Sequence, residues 1–168
     1  IMLAHMDTSY VLACDPYEDQ DIGKSRFLVS SSNQSMPVAR NVFTIVRPTQ
    51  NQMNLSDDPD DTVLRYGQAF MLRCNDSLLF GESKVILDLP LYLSSIKKST
   101  TTSTKETNRQ MVFMSPDDNC DAVWICQKPS YGRVGATDRY LSEGTAVNVE
   151  DILLFVHRQT NCCLATDS

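Results

Sequence analysis

Apolar residues come in short stretches along the chain, divided by polar connections rich in Ser, Thr, Asp and Asn. Such stretches, bounded by Pro, Gly or polar clusters, predict β-strands rather than helices. The clearest are Asn41-Val42-Phe43-Thr44-Ile45-Val46-Arg47-Pro48 and Ala122-Val123-Trp124-Ile125-Cys126-Gln127-Lys128-Pro129, each ending in a base and a proline. Others are Ile1-Met2-Leu3-Ala4, Tyr10-Val11-Leu12-Ala13-Cys14, Arg26-Phe27-Leu28-Val29-Ser30, Phe70-Met71-Leu72-Arg73-Cys74, Leu91-Tyr92-Leu93-Ser94-Ser95, Gln110-Met111-Val112-Phe113-Met114 and Leu153-Leu154-Phe155-Val156, with a last return strand at Leu164. No long amphipathic helix is expected; a helical turn over 83–88 is the most the pattern allows. The segments 49–61, 96–108 and 138–150 read as polar loops, and Gly132-Arg133-Val134-Gly135 as a loop without further signature.

The pattern repeats. His5-x-x-Thr8-x-x-x-Leu12 and His157-x-x-Thr160-x-x-x-Leu164 align with Ala and Asp also in register, and each follows an apolar strand. A middle copy has Phe70 to Cys74 as the apolar strand and Leu91 to Ser95 as the return strand, with a longer connection between them. Phe43 to Trp124 and Leu12 to Leu93 are both offsets of 81, and Leu72 to Phe155 is 83. Separate elements sharing one period argue for true repetition.

Each repeat reads as four strands, and three such units predict an all-β fold of the β-trefoil type, a single domain over 1–168 with units at about 1–38, 39–119 and 120–168. One unit cannot bury its apolar face alone; three around a common axis close a barrel with few open edges. The count reaches about ten of twelve strands, so a trefoil truncated at both ends is expected. The positions that carry this repeat are His5, Thr8, Leu12, Phe43, Leu72, Leu93, Trp124, Phe155, His157, Thr160 and Leu164. Phe43 and Trp124 are expected in the core, and the imidazoles of His5 and His157 are expected to hold closed the turns that Thr8 and Thr160 complete.

Composition narrows the functions. The chain has 168 residues, 42% hydrophobic and 21% charged, enough for a sizeable core. Its net charge of −6 disfavours nucleic acid as a partner. No apolar run is long enough for a membrane span. The acidic runs Asp57-Asp58-Pro59-Asp60-Asp61 and Asp117-Asp118-Asn119-Cys120-Asp121 lack the Gly and Glu of a calcium loop and read as solvated turns. Six cysteines contain no C-x-x-C pair, which argues against zinc and thioredoxin chemistry and for reduced thiols. Cys126 and Cys163 read as small core residues. No G-x-S-x-G, Walker A or G-x-G-x-x-G motif is present, so no catalytic residue, cofactor, metal or small-molecule substrate is expected.

The His-x-x-Thr turn with its Leu-bearing return strand resembles the MIR motif, a trefoil repeat. Val63-Leu64-Arg65-Tyr66-Gly67-Gln68-Ala69-Phe70 followed by Leu91-Tyr92-Leu93-Ser94-Ser95, with Arg40 to Ile45 upstream and His157 to Ala165 downstream, resembles the cilia- and flagella-associated protein 161 family across nearly the whole chain. That resemblance implies a non-catalytic protein of the ciliary axoneme. It would bind in the lumen of the doublet A-tubule against tubulin and neighbouring inner proteins. Three N-x-S sequons, at Asn33, Asn54 and Asn75, and the generic MIR signature keep open a second reading, an endoplasmic-reticulum module tied to glycan binding or protein O-mannosylation. A trefoil enzyme ranks third. The segments 49–61, 75–89 and 96–108 are the expected partner-facing loops, because insertions in repeat folds decorate one face.

Overall fold

The computed structural model describes residues 1–21, 25–48, 62–78, 90–98, 109–130 and 132–166, with the side chains of 16–21, 78 and 132–136 outside that description. Eight strands are described: β1 Val11–Asp21, β2 Arg26–Ser32, β3 Phe43–Val46, β4 Ala69–Cys74, β5 Tyr92–Ser95, β6 Val112–Ser115, β7 Trp124–Gln127 and β8 Leu154–His157. All pairings are antiparallel, in the path β1-β2-β6-β5-β4-β7-β8, with β3 added on β4. Among the described residues the sheet is open and the fold is all-β but for three 3-10 turns and one helix, α1 Gly132–Ser142.

Two of the expected strands are reduced to single bridges. Ile1 to Ala4 has a single bridge to its return strand, Ala4↔Val11, and the return at Leu164 has one, Val156↔Cys163, while Ile1 also exchanges main-chain hydrogen bonds with Phe43 at 2.6 and 2.8 Å. Each lies beside a tight turn, which leaves too little straight chain for a ladder. Helix α1 corrects the expected loop at Gly132 to Gly135 and the first part of the one at 138–150. Among its described side chains Thr137, Asp138, Tyr140 and Leu141 are exposed and Ser142 is buried, so these form no apolar stripe from which a helical period could be read. Past its end, Gly144 takes φ 80 and donates its N–H to Tyr66 O at 2.9 Å. That left-handed position suits a residue without Cβ.

The registers repeat. Across β3–β4, Phe43 faces Cys74, Thr44 faces Arg73 and Ile45 faces Leu72. Across β7–β8, Trp124 faces His157, Ile125 faces Val156 and Cys126 faces Phe155. The bridges Ala4↔Val11, Arg73↔Tyr92 and Val156↔Cys163 then fall one residue before His5, Cys74 and His157 respectively. A 3-10 turn precedes both β3 and β7, at Ala39–Asn41 and Cys120–Ala122.

Phe43, Phe70, Leu72, Leu91, Leu93, Met114, Trp124, Cys126 and Phe155 make one core cluster, with Leu12 and Leu164 packed partly buried against it. Phe70 and Phe155 meet edge to face at 5.0 Å. Such aromatic contact adds to the burial that dominates the stability of a fold like this. Cys163 is exposed, which corrects its expected place in the core; Cys126 is fully buried. Cys163 stands at the bridged position beside β8 with its side chain on the solvent face, the outcome of the period-two alternation of extended chain. No described helix is long and apolar enough to cross a membrane.

Candidate functional site

The three equivalent turns are built from one set of main-chain bonds. His5 N donates to Tyr10 O at 2.7 Å, Cys74 N to Leu91 O at 2.9 Å, and His157 N to Cys162 O at 2.8 Å. In the outer two, Ser9 N returns to His5 O and Asn161 N to His157 O, both at 2.8 Å. Ser9 and Asn161 accordingly take φ 59 and φ 55. The side chains complete the turn: His5 Nδ1 lies 3.1 Å from Thr8 Oγ1, and His157 Nδ1 lies 2.8 Å from Thr160 Oγ1. The middle copy has Cys74 in place of histidine, and most of the connection that follows it lies outside the described residues.

His157 is completely buried and its proton positions follow from its partners. Nε2 is 2.9 Å from Asp121 O, a carbonyl that only accepts, so Nε2 carries the hydrogen. Nδ1 therefore accepts from the Thr160 hydroxyl. Thr160 Oγ1 in turn accepts from Gln110 Nε2 at 2.9 Å, and Gln110 uses its second hydrogen on Ser95 Oγ at 2.6 Å. Ser95 donates onward to Met111 O at 2.8 Å. Each donor in the chain has an acceptor, and the imidazole is neutral. Burial pushes its pKa below the ordinary histidine value, against the Asp121 carbonyl, which favours the charged form. Trp124 lies 5.1 Å from this ring and donates its indole N–H to Leu93 O at 2.8 Å. A ring with both nitrogens engaged has no lone pair or proton for substrate chemistry.

A second joint falls on the Leu64-Arg65-Tyr66-Gly67 string. Tyr66 N donates to Thr145 O at 3.0 Å, Val147 N to Leu64 O at 2.9 Å, and Arg65 Nη1 to Gly144 O at 3.2 Å. Tyr66 is buried, and its hydroxyl donates to Asp151 Oδ2 at 3.0 Å in a part-buried bond. Burial, then that bond to a carboxylate, pushes the phenol up to about 12. Asp151 also takes Asn148 N at 2.7 Å, which holds its carboxyl below the usual range. Sequence reasoning marked the string but missed its partner segment, since the link is mostly main chain to main chain between residues about 80 apart, as in the Tyr66–Thr145 pair.

The remaining expected positions fall as follows. Phe43, Leu72, Leu93, Trp124 and Phe155 are buried, and Thr8, Leu12, Thr160 and Leu164 are partly so. The acidic run at Asp117 to Asp121 forms a capped turn, with Asn119 Oδ1 accepting from Asp121 N at 2.8 Å. The run at Asp57 to Asp61, the segment 49–61, the helical turn at 83–88 and most of the loops 75–89 and 96–108 lie outside the described residues. A cleft of about 350 Å³ of mixed polar and apolar lining opens beside the capped turn, between Pro48, Val123, Asp118, Asn119, Arg158 and Gln159 among others. Among the described residues no group of three His, Cys, Asp or Glu is placed to hold a metal ion. The segment from α1 to β8 exposes Tyr140, Leu141, Val149 and Ile152, large apolar residues that sequence reading did not single out.

No curated protein matches the chain closely enough to count as a relative. A family model does, the Cilia- and flagella-associated protein 161-like domain, over residues 20–168. The match takes in both described hairpins of the repeated register, the Leu64 to Gly67 joint and the whole His157 network. The chain belongs to the cilia- and flagella-associated protein 161 family.

Proposed function

We propose that this chain is a MIR-like β-trefoil acting as a non-catalytic structural protein of motile cilia, seated in the lumen of the axonemal doublet A-tubule against tubulin and neighbouring inner proteins. The family match over 20–168 is the observation that carries the ciliary reading. The trefoil reading is supported by the equal registers of β3–β4 and β7–β8 and by the bridges that precede His5, Cys74 and His157. A role without chemistry is supported by the way the His157 network uses its donors and acceptors internally. His5, Thr8, His157 and Thr160 are in this reading turn-closing residues, and Leu12, Leu93 and Leu164 the core residues of the three return strands.

The exposed Tyr140, Leu141, Val149 and Ile152 give such a protein apolar contact area outside its own core. A net charge of −6 is compatible with a luminal place, because the acidic tails of tubulin lie on the outer face of the microtubule. The test is tomography of axonemes from ciliated cells carrying a tagged chain. Tag density inside the A-tubule is the expected result. Absence from the axoneme defeats the proposal, and a glycosidase-sensitive shift of the tagged chain would favour the endoplasmic-reticulum reading instead.

A further inference from the structure

Cys14 and Cys74 stand 60 positions apart in the chain, and both side chains are fully buried. Cys14 lies on β1 opposite Val29 of β2, and Cys74 ends β4 opposite Phe43 of β3. Both belong to the one large core cluster. Within it the Cys14 thiol donates its hydrogen to the Cys74 sulfur.

The repeat accounts for this meeting. Cys14 follows Leu12 by two residues, as Ser95 follows Leu93. Cys74 faces Phe43 as His157 faces Trp124. Ser95 of the middle return strand reaches the last turn, since Gln110 Nε2 donates both to Ser95 Oγ and to Thr160 Oγ1, the partner of His157. One repeat earlier the same step brings Cys14 of the first return strand to the middle turn at Cys74. Gln110 and Thr160 stand between the later pair, whereas the two thiols touch directly.

We propose that Cys14 and Cys74 are a site of reversible disulfide formation, a covalent link between the first and middle repeats. Each backbone is fixed in a ladder, so side-chain rotation brings the sulfurs from contact to the bond length of about 2.05 Å. The oxidant is a small disulfide, with glutathione disulfide as the probe. Because Cys14 donates to it, Cys74 is the more acidic of the two and the attacking thiolate, while Cys14 is held protonated. Cys74 attacks one sulfur of glutathione disulfide and expels one glutathione thiolate. Cys14 then loses its proton and attacks Cys74, expelling the second. Two electrons pass from the protein to glutathione, and the two expelled thiolates take up the two protons that the cysteines gave up. Both sulfurs are buried, so exchange runs through local opening of the strands. The inference rests on the core packing and stands or falls separately from the ciliary reading.

Thiol–disulfide equilibrium on the full chain tests it. The exposed Cys120, Cys162 and Cys163 are first replaced by serine, which leaves Cys14, Cys74 and the buried Cys126. This variant is held in a glutathione redox buffer, starting from the reduced and from the oxidised chain until both give one ratio, and is then acid-quenched. Peptide mass spectrometry should find Cys14 joined to Cys74, with Cys126 free. The equilibrium constant for forming this bond should be at least about 10-fold larger in the native chain than in the same chain in urea, where only a long loop connects the two thiols. Cys14→Ser should abolish the cross-link. A native constant no larger than the denatured one would mean that the folded core holds the sulfurs apart, and overturns the proposal. So does a native product in which Cys126 is linked, or in which Cys74 carries glutathione in place of Cys14.

Discussion

Trp124 and His157 face each other across β7 and β8 with ring centroids 5.1 Å apart, and each ring is tied to a carbonyl of a different segment, Leu93 O for the indole and Asp121 O for the imidazole. The pair joins the middle return strand, the turn before β7 and the last His–Thr turn at one buried point. Rigidity at that point follows from hydrogen-bond satisfaction as much as from packing.

Replacing His157 by alanine removes the ring and leaves the Thr160 hydroxyl and Asp121 carbonyl without it. The cavity and the orphaned polar groups together should cost roughly 2–4 kcal/mol. A urea melt at pH 7.5 checks this. Gln110→Ala reaches the same network through Thr160 and should cost less, about 1 kcal/mol, because the imidazole remains in place.

The same histidine sets a pH dependence. Its folded pKa is depressed by burial, so the unfolded chain binds its proton first as pH falls. The contribution to stability is complete above the unfolded value of about 6.5 and declines below it, down to the folded pKa, with a slope of at most about 1.4 kcal/mol per pH unit. Asp151, with its carboxyl held low by Asn148 N–H, acts only at more acid pH. Urea midpoints between pH 7.5 and 5.5 should fall for the natural chain and flatten for His157→Gln. An equal slope in both would remove His157 as the cause.

Charge introduced on the return strands should be graded by burial. Leu93 is fully buried, whereas Leu12 and Leu164 are partly exposed at the margin of the same core. Leu93→Asp should prevent folding, and Leu12→Asp or Leu164→Asp should each cost roughly 2–4 kcal/mol. Circular dichroism melts of the three variants provide the comparison. Three neutral results would break the repeat reading.

The strands around Phe43, Leu72, Trp124 and Phe155 were legible because each puts a run of apolar residues between polar or proline stops, and the His-x-x-Thr spacing is local enough to read directly. Helix α1 was not legible, since its described face is exposed and burial is what writes a helical period into a sequence. The Ile1 to Ala4 stretch has the composition of a strand, but its pairing is decided by distant chain. Partners such as Gln110 for Thr160, or Asp151 for Tyr66, are single contacts between remote residues, which no periodic pattern encodes.

Tyr66→Phe should keep the ring and lose only the bond to Asp151, at a cost of about 1 kcal/mol. Asp151→Ala should be worse, since it removes the acceptor of the Tyr66 hydroxyl and that of the Asn148 N–H together. The double variant should be no worse than Asp151→Ala alone if the two side chains act as a pair. A thermodynamic cycle from urea melts measures this directly.

The cysteines should separate cleanly by reactivity. Cys14, Cys74 and Cys126 are buried, and Cys120, Cys162 and Cys163 are exposed. Only the thiolate reacts with an alkylating agent. The hydrogen bond to Cys74 and then burial push Cys14 up, and burial followed by the Asp151 charge pushes Cys126 up to about 12. The hydrogen bond with Cys14 instead lowers Cys74, which is shielded by its burial alone. Iodoacetamide at pH 8 should therefore label Cys120, Cys162 and Cys163 in the folded chain and reach the other three only in denaturant. Peptide mass spectrometry reads the sites. Fast labelling of Cys14 or Cys74 in the folded chain would mean that β1 and β4 do not bury those thiols together, and that the core joining the first and middle repeats is looser than the packing described.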